Sequence, residues 1–365
     1  MTDPIWGRAP RSRPGVLPPR AGILVIGGGI TGVSTLHWLR DRDAVLVERD
    51  RLAAGASGRN AGFIGQGLGE SYAALVRRTG RARAAASWAF TIETHDMMEA
   101  ALAGRSPHHR RRGLVREPAD AEEARDLEES GQLLREDGFD AHWDGSRLRF
   151  PRDGEHHPVE TVLALASDAP ESAIQEGVDV SALDPSPSGV RVEAGGRECL
   201  ADVVVVATNA FTPLLLPGLP IAPVRAQMAA TAPVTDRITT SPTSRDRGFQ
   251  YWNQRWDGRV LAGGYRNRAL AEEVGYDARP TPGIQSHLDE HLEQLGVRAQ
   301  VTHRWAGIMG FTGDGFPIAG PAPGRPNVYV CAGYNGSGMS FAFQCARLLA
   351  GRLRGGGGAP DLPWD

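Results

Sequence analysis

The stretch ILVIGGGITGVSTLHWL, residues 23–39, constrains this chain more than any other. A short apolar run ending in glycine reads as a buried parallel strand over 22–27. The spacing that follows predicts a helix from about Thr31 to Arg40. AVLVERD (44–50) is a second strand, so the first fifty residues predict a βαβ unit. Gly27, Gly29 and Gly32 form G-x-G-x-x-G within it. The first glycine makes the tight turn, the second lets backbone approach a pyrophosphate, and the third lets helix pack on strand; Ile30 and Thr31 open the helix whose N-terminus favours negative charge. Glu48 ends the second strand, at the spacing expected of an acid that accepts from ribose hydroxyls. An acid there repels a 2′-phosphate, which disfavours NADP.

The second strand runs directly into RLAAGASGRNAGFIGQGLG (51–69), a glycine-rich loop too long for a plain connector. Such small residues let the chain pass close to a large flat cofactor, and the regular βα units of a simple NAD dehydrogenase do not follow. Helical periodicity covers 71–103, 118–137, Pro158–Glu176 and 280–296. Short strands are expected at 178–183, 190–194 and 201–210, and an antiparallel sheet over 222–234 and 247–266. Residues 327–353 repeat the opening pattern of strand, glycine turn and helix.

Composition removes several function classes. All 40 basic residues are arginine, so no mechanism can use a lysine. The net charge of −3 gives no global field for nucleic acid or an anionic membrane. Cys199, Cys331 and Cys345 form no CxxC pair, which argues against a disulfide framework or a metal site. No apolar run is long enough for a membrane span. The N-terminus lacks the apolar stretch of a secretory signal, and a cytoplasmic location is expected.

VIGGGITG (25–32), ERDRLAAGASGRNAGF (48–63), VVVATNAFTP (204–213), RWAGIMGFTGDGFPIAG (304–320) and GYNGSGMS (333–340) come in an order that resembles the FAD-dependent D-amino-acid-oxidase-like (DAO) superfamily, nearest the gamma-glutamylputrescine oxidase branch. The resemblance implies the α+β / α/β class: a Rossmann-type, glutathione-reductase-like FAD-binding domain (21–70, 150–220, 304–353) interrupted by an antiparallel-sheet substrate domain (71–149, 221–303). Residues 1–20 would be an arm and 354–365 a tail. Gly27 to Gly32 would hold the pyrophosphate, with Glu48 and Arg49 at the adenosine ribose. Ser57, Gly58, Arg59, Asn60, Ala61 and Gly62 would run beside the flavin, with Gly307 nearby. Val180 would meet the adenine, and Ala207 and Thr208 the ADP. Gly333, Asn335, Gly336, Gly338 and Met339 would open a last helix whose N-terminus faces the flavin.

Departures from the family bear on the substrate. No cysteine lies between 305 and 320, and Arg59 stands where some relatives attach flavin to histidine, so non-covalent FAD is expected. Glycine-oxidase-like members hold the substrate carboxylate with an arginine where this chain has Met309. Sarcosine-oxidase-like members use a lysine where it has Ser340. These changes favour oxidation of a primary or secondary amine to an imine, with electrons passing to oxygen or another acceptor. The pocket candidates are Tyr251, Tyr265, Met309, Tyr334, Ser340 and His303, with Trp252 on the same sheet; Arg266 or a protonated His303 could serve as the cation that promotes reaction with oxygen. The alternatives are an amino-acid oxidase or dehydrogenase whose carboxylate is held by an unidentified arginine, and a flavin-binding subunit without turnover.

Overall fold

The computed structural model describes residues 3–10, 15–106, 108–355 and 362–364. At its centre the strand Arg20–Ile26 pairs in parallel with Ala44–Glu48 on one side and Arg197–Val206 on the other. Ile174–Glu176 extends the parallel sheet beyond Ala44–Glu48, and Val328–Ala332 beyond Arg197–Val206. Both faces of these strands are covered, which is why they read as continuous apolar runs. Alternate residues feed two cores: Val25, Leu46, Val205 and Cys331 enter one, while Leu24, Val47, Val204 and Val330 enter the other.

The helices Ile30–Trp38 and Gly338–Leu353 lie side by side on one face. The indole of Trp38 donates to the Phe343 carbonyl at 3.0 Å. Antiparallel strands Val180–Ser186 and Gly189–Ala194 continue the sheet through the N-terminal half of Arg197–Val206.

The second layer is an eight-stranded, mainly antiparallel sheet. Its order is Val301–Phe311, Ala222–Pro233, Arg259–Gly264, Gln250–Gln254, Thr243–Arg245, Leu114–Glu117, Leu148–Phe150, His142–Trp143. Helix Pro282–Gln294 closes its outer face by burying Ile284, Leu288 and Leu292 against Ala229, Val260 and Ala262, the period expected of an amphipathic helix.

Several boundaries move. The helix expected over Pro158–Glu176 stops at Ala166, because Pro170 forces extended backbone, and Ile174–Glu176 is a strand. The segment 71–103 breaks at Gly80, φ +85°, into Tyr72–Thr79 and Arg81–Leu102. Val301–Phe311 pairs along its length with Ala222–Pro233, so residues 304–311 belong to the antiparallel sheet and not to the nucleotide-binding layer. The described residues at both ends also pack onto the body. The Trp6 indole donates to the Asn60 carbonyl at 2.9 Å, and that of Trp364 to the Pro317 carbonyl at 3.0 Å.

Candidate active site

The glycine turn forms one end of a continuous cavity of ≈ 1570 Å³. Gly27 has φ +112°, and a Cβ there would lie 2.7 Å from the Ala207 carbonyl. A Cβ on Gly32 would lie 1.8 Å from the Gly27 carbonyl, so this glycine serves helix–strand packing behind the cavity wall. Gly29 is on the wall, where a Cβ would approach only the Ser57 side chain, at 2.9 Å. The helix beginning at Ile30 has no acidic residue in its first turn, and the Ile30 amide donates to Ser57 Oγ at 2.8 Å. Thr31 follows on the wall. The carboxylate of Glu48 accepts from the Gly28 and Asp50 amides, at 2.6 and 2.9 Å, while burial pushes its pKa up. Val180, Ala207, Thr208 and Arg49 line the same end. The Arg49 guanidinium lies 4.3 Å from the Phe211 ring centre.

Mid-cavity, the loop after Glu48 is held by its own side chains. Arg59 donates to the carbonyls of Ala54 and Ala306, at 3.0 and 3.1 Å, and Asn60 bridges the Ser57 carbonyl and the Gly62 amide. Ala61 and Gly307 are on the wall, and a Cβ on Gly307 would come within 3.1 Å of Arg59 Cβ. Asn335, φ +52°, ties the last glycine turn to Thr312 through both ends of its amide. Gly336, Gly338 and Met339 face the cavity. Gly58, Gly62 and Gly333 do not; they are close-packed against Ala53, Trp6 and Thr312.

At the far end, the expected substrate group divides. Tyr251 and Met309 line the cavity, and burial pushes the Tyr251 hydroxyl up to about 12. Tyr334 lines it with its ring, but its hydroxyl accepts from Thr31 at 3.0 Å and meets Cys331 Sγ at 3.2 Å. Ser340 lines it too, yet its hydroxyl donates to the Gly65 carbonyl at 2.6 Å. Tyr265, His303 and Trp252 are absent from the wall. The Tyr265 hydroxyl is 3.1 Å from His291 Nδ1 beneath helix Pro282–Gln294, Trp252 lies edge-on to the same histidine, and His303 contacts Thr302. Tyr265 has φ +62°, a left-handed conformation rare for an aromatic residue. Its ring turns to the outer face, and the next residue, Arg266, turns inward.

Arg266 is the residue whose weight the sequence reading underestimated. Its guanidinium lies 4.6 Å from the Phe249 ring centre and 5.0 Å from that of Phe311. Among the described residues it has no hydrogen-bond acceptor and no ion pair, and burial lowers its pKa. Among the other cavity arginines, Arg77, Arg78 and Arg247 are paired with carboxylates and Arg59 and Arg116 donate to backbone carbonyls. Arg49 and Arg125 also lack an ion pair among the described residues but are exposed, unlike the half-buried Arg266. Gln66, Arg116 and Asp153 also line the cavity and carried no distinguishing sequence pattern.

Residues 22–352 match the family described as DAO, FAD dependent oxidoreductase. The chain belongs to that family. It is 28% identical over 340 residues to the tRNA 5-methylaminomethyl-2-thiouridine biosynthesis bifunctional protein of Maricaulis maris, covering 92% of this chain and 52% of that one. It is 31% identical to the D-amino acid dehydrogenase of Methylobacterium nodulans over 59% of this chain and 52% of that protein. The chain thus spans about half the length of these curated relatives. Glycine oxidase from Geobacillus kaustophilus superposes with a TM-score of 0.79 at 20% identity, covering 94% of this chain and 97% of that one, and shares its fold. The family is one of FAD-dependent oxidoreductases. The residues present fit FAD: an open glycine turn at a helix N-terminus, a carboxylate at ribose position, and a cavity larger than the roughly 300–1,000 Å³ of a typical small-molecule site. Among the described residues no helix is long and apolar enough to cross a membrane, and no group of ligating side chains could hold a metal ion.

Proposed function

We propose that the chain oxidises the C–N bond of an amino acid whose carboxylate is held by Arg266. The observation that carries this reading is an arginine in the cavity, between two aromatic rings, without an anion. A half-buried cation held between aromatic rings is a ready partner for an anion, and a carboxylate can accept two parallel hydrogen bonds from it. Tyr251, on the same wall, contributes a hydroxyl. This reading replaces the simple amine favoured by Met309 and Ser340, since the carboxylate partner missing at those positions is supplied from another strand.

FAD, when bound, would supply the two-electron acceptor for oxidation at the carbon that bears nitrogen. The chain's residues orient that carbon: Arg266 and Tyr251 fix the carboxylate, while Met228, Met309 and Phe63 exclude water. No cysteine or histidine lines the cavity among the described residues, which supports non-covalent FAD.

Anaerobic mixing of the FAD-loaded protein with small amino acids and simple amines tests the reading. Amino acids are expected to bleach the flavin, and Arg266→Leu to raise the half-saturating concentration about 100-fold, the equivalent of about 2–3 kcal/mol for charged hydrogen bonds. Bleaching by amines alone would return the amine reading to first place.

A further inference from the structure

Beyond Arg266 the cavity runs into a recess floored by Gln66, Arg116 and Asp153, with Leu68, Leu114 and Leu127 around it. Its polar groups are incompletely used. The Trp88 indole donates to Gln66 Oε1 at 2.9 Å, which fixes the orientation of that amide. Gln66 Nε2 then makes no hydrogen bond of ordinary geometry, although Gln66 is 3% exposed; its side chain faces the Asp153 carboxyl, whose pKa burial raises and this contact lowers. Arg116 donates to two backbone carbonyls and to no carboxylate, so several of its five N–H groups are unassigned. Asp153, 2% exposed, accepts only from the Gln66 amide, at 3.2 Å, and has no ion pair among the described residues.

We propose that this recess holds a second carboxylate, so that the substrate is an extended amino acid with an acidic group at each end. The deeper reading rests on the assignment of Arg266 above. Unused donors on Arg116 and Gln66 call for an acceptor, and a planar carboxylate satisfies both. Burial pushes Asp153 up to about 7, so two neighbouring carboxyls can share a proton in place of facing each other as full charges. Spacing agrees with an extended ligand. Arg266 follows Arg259–Gly264, and Arg116 lies on Leu114–Glu117, three strand steps away across Gln250–Gln254 and Thr243–Arg245. Three steps span about 14 Å. Two arginine side chains reaching inward across that span leave room for a chain longer than that of glycine or alanine.

The test uses the full chain loaded with FAD, under anaerobic stopped-flow conditions. Both enantiomers of aspartate, glutamate and 2-aminoadipate are each compared with the amide of the same length. At least one acid is expected to reduce the flavin ten times or more faster, as kred/Kd, than its amide, and Arg116→Gln to bring that ratio close to one in protein with a normal bound-flavin spectrum. Acids equal to or slower than their amides would overturn the second carboxylate, as would a ratio that survives Arg116→Gln. Reduction by alanine or glutamine with no preference for acids leaves the Arg266 reading standing and removes only this one. Reduction by amines alone removes both.

Discussion

The two ends of the cavity are built on different principles. At the end formed by the glycine turn, the wall is largely backbone: Gly27, Gly29 and the first turn after Ile30 line it, with the Glu48 and Ser57 side chains beside them. At the substrate end, recognition is by side chains from strands distant in sequence, with Phe63, Arg116, Tyr251, Arg266 and Met309 converging on one volume. A backbone site tolerates almost no change of residue but is independent of distant partners. A side-chain site can be rewritten residue by residue while the frame stays.

The sharpest way to break this contrast is Gly32→Val. A Cβ there meets the Gly27 carbonyl at 1.8 Å, and neither backbone can yield. The expected outcome is loss of folded protein, read as soluble yield. Gly29→Val should be milder: it collides only with the movable Ser57 side chain, so the protein should fold but purify colourless. A yellow Gly29→Val protein would show that phosphate does not approach this turn.

Arg266→Leu is next in size. The substrate end should lose about 100-fold in half-saturating concentration. Flavin content, measured by absorbance after acid precipitation, should follow the dinucleotide end and remain full. Loss of flavin with Arg266→Leu would mean the two ends are not separable.

Acid offers a comparison without mutation. Among the described residues, His95 is buried with neither ring nitrogen partnered and His156 with only Nδ1 bonded, to Thr161, and burial lowers both, His95 to about 3. His109 is lowered to about 4 for the same reason. Their folded pKa values lie below the unfolded value, so the unfolded state binds more protons and stability is lost as pH falls below about 6.5. His95 alone should cost about 2 kcal/mol by pH 5. Thermal melts from pH 8 to pH 5 should show a falling midpoint, and one that holds steady would place these rings in contact with water.

Ser57→Ala is the smallest perturbation. It removes one acceptor for the Ile30 amide, worth about 1 kcal/mol, so the melting midpoint of the flavin-free protein should fall by about 2 °C.

What could be read from sequence follows the same division. Gly27, Gly29, Gly32 and Glu48 were legible because their constraints are local, set by a turn, a strand end and a helix start within thirty residues. The last glycine turn was legible for the same reason. Arg266 and Tyr265 were not separable, because a period of two cannot say which neighbour faces inward once Tyr265 adopts φ +62°. Ser340 reads as a pocket residue, and nothing near it in sequence announces the Gly65 carbonyl that takes its hydroxyl. Asp153 and Gln66 meet where the Gln66 backbone amide donates to the Asp153 carboxylate, 87 residues away. The boundary at residue 304 failed because RWAGIMGF reads as a motif, whereas its hydrogen bonds belong to Ala222–Pro233.

The contact between Thr31 and Tyr334 joins residues separated by 303 positions, and Trp38 meets Phe343 across 305. The strand Arg20–Ile26 and helix Ile30–Trp38 therefore remain without their neighbouring helix until about 300 further residues have been made. Contacts of such high sequence separation are slow to form, and apolar surface awaiting them is prone to aggregate. The nascent chain must carry the exposed faces of Val33 and Leu36 through almost its whole emergence from the ribosome. A stop codon placed just before Gly338 would remove about a thirteenth of this sequence yet leave helices Ile30–Trp38 and Arg81–Leu102 without the partner they share, which makes the helix Gly338–Leu353 the step that commits the fold.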